Sequence, residues 1–257
     1  MLTFNSQTHL INKKQKMNMK SFFSKWGLTI SLVVITIHFL AQLFGEEYKM
    51  IEGVSKALFL PTLMIYLYVQ PNVTNKSGKN LVMLGLFGSF LGDVFLISKS
   101  LFIPGMIAFM MTHVCNILFF SKIYSPKQPR SKLLNISILL LLSFCVFMYF
   151  QLSGGMGNLI YPVLVYMVLI SSAALMSIHI SSNKSTNIIA NNFWIPGMLF
   201  FLASDSILAF NKFDWSKNDP IENIGLVIMI TYGLAQFLLV KGFQVYFANK
   251  INVTKQE

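Results

Sequence analysis

The sequence predicts an all-α bundle of eight transmembrane helices, and composition, apolar periodicity and charge distribution all support this fold class. Of the 257 residues, 54% are apolar and only 11% are charged, and the mean hydropathy is +0.62. A soluble domain needs a more polar surface than this composition can provide. We therefore expect the chain to lie in a lipid bilayer.

Eight apolar segments approach the roughly 20 residues that a helix needs to cross a bilayer. They are predicted at 27–44, 51–69, 81–98, 101–123, 133–152, 159–180, 193–210 and 221–240. Turn-forming residues separate them, as at Ser125-Pro126 and Asn218-Asp219-Pro220. The first segment resembles a signal peptide but lacks a convincing cleavage site, so we expect it to be retained.

This pattern predicts three parts of the chain. Residues 1–26 form a basic cytoplasmic tail, 27–247 the transmembrane domain, and 248–257 a cytoplasmic C-terminal tail. Of the 20 Lys and Arg residues, 15 fall on the side of the N-terminus and four on the other. The positive-inside rule then places both termini in the cytoplasm.

The net charge of +11 comes from lysines in short tails and loops beside apolar runs. Nucleic-acid binding needs a single basic surface, so membrane orientation explains these charges better. Cys115 and Cys145 both fall inside apolar segments, which argues against a disulfide framework or a cysteine-based metal site. The sequence carries no signal for oligomeric state.

Asp93 and Asp205 lie deep in two apolar segments. A charged residue at mid-bilayer costs roughly 2.5–3.5 kcal/mol on insertion scales, so each needs a reason to be there. Both lie twelve residues after the start of a helix that runs outward. At 1.5 Å per residue, both carboxyl groups are predicted about 18 Å from the inner boundary.

The two aspartates also share a local pattern. GLFGSFLGDVFL at 85–96 matches GMLFFLASDSIL at 197–208 with an offset of 112 residues. Four predicted helices separate the copies, which indicates two four-helix halves related as a parallel repeat. Small residues at helical spacing beside each aspartate favour close helix packing.

Further polar residues fall at similar membrane depth and are candidates for supporting roles. They are Lys56, His113, Asn116, Tyr232 and Gln236. His113 and Asn116 share one helix face, as do Tyr232 and Gln236. For Asn116 and Gln236, ordinary hydrogen bonding between helices is an equally good interpretation, and Lys56 at a helix end could extend to the interface.

Two carboxyl groups close together do not easily both ionise, so one keeps its proton while the other acts as a base. The sequence has no HExxH, CxxC, GxSxG or glycine-rich phosphate loop, which removes zinc proteolysis, serine hydrolysis and nucleotide-driven work. No metal or cofactor is required. The residues leave two alternatives: a hydrolase, or a transporter or proton-coupled carrier that uses paired aspartates.

Four stretches, together with Lys56, carry a resemblance to a known family. They are 85–96 (GLFGSFLGDVFL), 105–116 (GMIAFMMTHVCN), 197–213 (GMLFFLASDSILAFNKF) and 231–236 (TYGLAQ). Here the chain resembles the lysoplasmalogenase family of YhhN-type membrane proteins, which have eight predicted spans. One departure is Asn116, where the family more often has a tyrosine.

The resemblance implies a membrane-embedded enzyme that cleaves the vinyl ether bond of lysoplasmalogens, releasing a fatty aldehyde and a glycerophospho-base. Asp93 and Asp205 would be the catalytic pair, and His113 and Tyr232 would position a carboxyl group or water. Lys56 would pair with an aspartate or attract the phosphate. The expected partners are a lysophospholipid substrate and membrane lipids, and the expected location is a bacterial cell membrane.

Overall fold

A computed structural model describes residues 3–71, 76–214 and 223–249, with side chains from residue 19 onward. These residues form helices and no strands. The long α-helices are α1 (Thr3–Phe44), α2 (Lys49–Val69), α3 (Lys76–Phe95), α4 (Phe102–Ile123), α5 (Lys132–Met156), α6 (Ile160–His179), α7 (Ile195–Phe213) and α8 (Ile224–Ala248). The all-α prediction is therefore confirmed for the described residues.

Six helical segments within these ranges are long and apolar enough to cross a membrane. One of them, Lys132–Ser182, has 51 residues and contains both α5 and α6. Helix α3 is not among the six, because Lys79, Asn80 and Asp93 lower the mean hydropathy of its 20 residues. The helix that contains the first aspartate is thus the most polar of the long helices after α1.

Several helix ends differ from the predicted segments. Helix α1 begins at Thr3 rather than near residue 27, because no glycine or proline interrupts the basic stretch before the apolar run. Helix α8 continues to Ala248, eight residues beyond the predicted end at 240. The predicted turn Asn218-Asp219-Pro220 and most of the predicted C-terminal tail lie outside the described residues.

Consecutive helices pack as hairpins, α1 with α2, α3 with α4, and α7 with α8. The α3–α4 pair is close because Gly88 leaves room for its neighbour. A Cβ atom there would lie 2.8 Å from both the Ala108 carbonyl oxygen and Thr112 Oγ1. Helix α4 also contacts α6, and α6 contacts α7, so α3, α4, α6, α7 and α8 all contribute to the same region of the bundle.

An aromatic cluster fills the bundle between α4, α8 and the π-helical turn Ala190–Trp194 that precedes α7. Trp194 and Phe119 are almost fully buried there, and the Phe119 ring meets Phe243 edge-on at 5.1 Å. Such edge-to-face pairs add to the energy of burial. This cluster fixes α4 relative to α8, and these two helices carry His113 and Tyr232.

Candidate functional site

Asp93 and Asp205 line one cavity of about 620 Å³. Asp93 projects from the last turns of α3 and Asp205 from the middle of α7. Three lysines, Lys56, Lys99 and Lys212, line the same cavity, and Lys99 and Lys212 are solvent-exposed. The cavity therefore joins two carboxyl groups inside the bundle to a positively charged opening.

Asp93 is buried, with 2% of its surface exposed. Its Oδ2 accepts a hydrogen bond of 2.8 Å from the Tyr232 hydroxyl of α8. The charges of Lys56 and Asp205 both act on this carboxyl group. A buried carboxyl group is stabilised only when hydrogen bonds or opposite charges replace its hydration, and Tyr232 and Lys56 supply one of each.

Asp205 lies at the end of a three-residue chain of hydrogen bonds. Its Oδ2 accepts from the Tyr166 hydroxyl of α6, and the Tyr166 oxygen lies 3.1 Å from His113 Nε2 on α4. His113 Nε2 is also 3.7 Å from Asp205 Oδ2. Since the Tyr166 proton points to the carboxylate, its oxygen is free to accept from His113.

The His113 ring is fully buried, and its Nδ1 has no hydrogen-bond partner among the described residues. A proton on Nδ1 would leave a buried N–H group unsatisfied, which is costly. Between the two tautomers, the arrangement therefore favours the one with its proton on Nε2, directed at Tyr166. His113 and Tyr166 therefore hold the Asp205 carboxyl group in a fixed orientation.

Aromatic rings pack around Tyr232 and His113, the side chains that lie beside the two carboxyl groups. Tyr232 meets Phe201 edge-on at 5.6 Å and Phe109 at 5.9 Å. Phe201 also lies 4.8 Å from the His113 ring. These contacts hold His113 and Tyr232 in place, so the donors to both aspartates share one rigid aromatic support.

The remaining predicted residues fall in different places. Lys56 lines the cavity, whereas neither Asn116 nor Gln236 is among the described residues that do so. Gln236 donates to Ser89 Oγ at 3.1 Å, and Asn116 has a 3.9 Å contact with Met198 Sδ. Asn116 therefore lies in helix packing behind the cavity, whereas Gln236 also forms a hydrogen bond with the Tyr232 side chain, which donates to Asp93.

Sequence reasoning missed Tyr166, Lys99 and Lys212. Tyr166 is one tyrosine in an otherwise apolar segment, and nothing in its spacing links it to an aspartate 39 residues away. In the sequence, the two lysines contribute only to the predicted membrane orientation. Lys99 follows α3 and Lys212 lies near the end of α7, each a few residues beyond an aspartate. This spacing was the signal that could have placed both lysines near the aspartates.

Helices that are long and apolar enough to span a membrane, together with a cavity that contains two carboxyl groups, define an integral multi-pass membrane protein with a polar internal site. The YhhN family matches residues 51–243 of the chain. The chain therefore belongs to the YhhN family.

One relative is the lysoplasmalogenase TMEM86B of Homo sapiens, which is 29% identical over 151 residues. That alignment covers 59% of this chain and 58% of the human protein, so the chain spans less than two thirds of its relative's length. No solved structure matches the chain.

Proposed function

We propose that this protein hydrolyses the vinyl ether bond of lysoplasmalogens, releasing a fatty aldehyde and a glycerophospho-base. The observation that carries the proposal is the single cavity shared by Asp93 and Asp205. Membership of the YhhN family and the similarity to a human lysoplasmalogenase support it. The exposed lysines at the opening suit a substrate with a phosphate group.

Vinyl ether cleavage needs an acid and a counter-charge. A carboxylic acid donates its proton to the outer vinyl carbon, and the ether oxygen and inner carbon become an oxocarbenium ion. Water adds to the inner carbon and gives its proton to the second carboxylate. The second carboxyl group then gives this proton to the glycerol oxygen as the C–O bond of the hemiacetal breaks. The hemiacetal hydroxyl gives its proton to the first carboxylate, and aldehyde and alcohol are released. Two carboxyl groups serve glycoside hydrolysis by a related logic.

The cavity suggests which aspartate does which step. Asp205 also borders two apolar cavities, where the hydrocarbon side of the vinyl group would lie, so we assign it as the acid. Tyr166 and His113 would hold its carboxyl group in position. Asp93 lies near Lys56 on the polar side, so we assign it to stabilise the cation and accept the proton of water.

The test is aldehyde release by purified protein from lysoplasmenylethanolamine in D₂O, with the aldehyde reduced at once to an alcohol. Proton transfer to carbon predicts one deuterium at the carbon next to the former aldehyde. Asp93→Asn and Asp205→Asn should each lower the rate by about 10²–10⁴-fold, the usual contribution of acid–base groups. Asp214→Asn is the matched control, because Asp214 lies at the end of α7 and is not among the residues lining the cavity.

Full activity in either cavity variant would refute the two-aspartate mechanism. No aldehyde from the wild-type protein would refute the proposed reaction. In that case transport assays in vesicles would test the alternative, a carrier that uses the same two aspartates.

We further propose that all eight long helices span the membrane, with both termini in the cytoplasm. Division of Lys132–Ser182 into α5 and α6 supplies one additional span, and α3 supplies the other. The 15 basic residues on the N-terminal side support this orientation. We place the protein in a bacterial cell membrane, with α1–α4 and α5–α8 as parallel halves.

A further inference from the structure

Asp205 borders more open space than Asp93 does. Besides the 620 Å³ cavity, it lines two apolar cavities of about 50 Å³ each. The first is lined by Leu96, just after α3, and by residues of α4, α6 and α7, among them Met106 and Val163. The second lies between α5, α6 and α7. Val163, Tyr166 and Asp205 line both, so Asp205 borders the two spaces.

The second small cavity leads toward the outside of the bundle. It shares Cys145 and Met167 with a groove of about 370 Å³ between α5 and α6. The groove is almost entirely apolar, and the exposed fractions of Phe150 and Val168 on its walls are 72% and 63%. In a membrane protein, such exposed apolar side chains contact lipid tails.

Helices α5 and α6 also pack against each other less closely than the other helix hairpins do. Lys132–Ser182 contains both helices, and only 17% of its most apolar stretch is buried, the smallest share among the six membrane-spanning candidates. The wall between groove and cavity includes Met167, whose unbranched side chain changes rotamer easily. Among the four helix hairpins of the described residues, α5–α6 is therefore the least closely packed.

We infer that the groove between α5 and α6 is the lateral portal through which the alkenyl chain of a single-chain ether phospholipid reaches Asp205. This inference rests on the proposed function and adds the route of the substrate. The distribution of charge supports this orientation of the substrate. The lysines lie in the polar cavity, where a phosphate would bind, whereas the groove between α5 and α6 is apolar. The bond to be cleaved would then lie at Asp205, between tail and head group.

A tryptophan that fills the portal tests the inference by chain length. Met167→Trp should lower kcat/KM for a hexadecenyl lysophospholipid by about tenfold or more. A change in the size of an apolar pocket alters kcat/KM between substrates by at least about this factor. A water-soluble butenyl analogue, which can enter through the polar opening, should lose much less. Val165→Trp is the matched control, because Val165 is 54% exposed on the same helix and does not line the groove. Equal losses for both chain lengths would overturn the portal.

Labelling of Cys145 gives a second readout that does not depend on catalysis. Cys145 lines both groove and inner cavity, and Cys115 is buried, so a Cys115→Ser background isolates it. A non-cleavable hexadecyl ether lysophospholipid should slow alkylation of Cys145 by a membrane-permeant maleimide, and glycerophosphoethanolamine alone should not.

Unchanged labelling in a protein that releases aldehyde would overturn the portal and leave the proposed reaction standing. Protection by the ether lipid in a protein that releases no aldehyde would support the portal and remove the proposed reaction. The two proposals therefore fail separately.

Discussion

Replacing Tyr166 with phenylalanine removes one hydroxyl group from the site and keeps the ring. That hydroxyl donates to Asp205 Oδ2 and lies 3.1 Å from His113 Nε2. A hydrogen bond to a charged group contributes about 1.5–3 kcal/mol, which corresponds to about 10- to 150-fold in rate if it is needed in the transition state.

Part of this loss can be recovered. His113 Nε2 already lies 3.7 Å from Asp205 Oδ2, so a movement of about 0.8 Å would create a direct hydrogen bond. We therefore expect Tyr166→Phe to lower kcat by about 10- to 30-fold. KM should change little, because the hydroxyl contacts the acid and not the lipid in the proposed mechanism.

The assay is aldehyde release by purified protein, with thermal unfolding in detergent recorded in parallel. Tyr161→Phe on the same helix is the control, because Tyr161 is 77% exposed and should keep wild-type rates. If Tyr166→Phe retains full activity at unchanged Tm, Tyr166 has no role in positioning the Asp205 carboxyl group. A loss of activity explained by a loss of folded protein would also refute the argument.

Two further substitutions test packing and site membership. Gly155→Ala should prevent stable folding, because the added Cβ would lie 1.8 Å from the Phe213 carbonyl oxygen. At the adjacent Gly154 nothing lies within 4 Å of an added Cβ, so Gly154→Ala should preserve or slightly raise Tm in detergent. Equal Tm values for the two variants would contradict the α5–α7 contact. Asn116→Leu should leave aldehyde release within about threefold of wild type, since its weak partner is Met198 Sδ at 3.9 Å and replacing a poorly bonded amide costs little. A large loss of activity with normal expression would instead indicate that Asn116 has a role in the site.

Much of the architecture followed from the sequence because membrane insertion depends on local composition. An apolar run of about 20 residues forms a helix in lipid wherever it occurs, since no other local structure satisfies its backbone. Helices α2, α4 and α6 accordingly begin and end within a few residues of the predicted segments. Helix α1 departs from its prediction because a basic stretch without glycine or proline can also continue a helix.

The sequence by itself determined that Asp93 and Asp205 need a reason to be buried, because the cost of a carboxyl group in an apolar helix does not depend on its neighbours. Only the tertiary structure decided which groups meet them. Tyr232 lies 139 residues from Asp93, and Tyr166 and His113 reach Asp205 from two other helices. Such contacts depend on how each helix is rotated and packed, and these are set by many weak side-chain contacts that no single sequence pattern encodes.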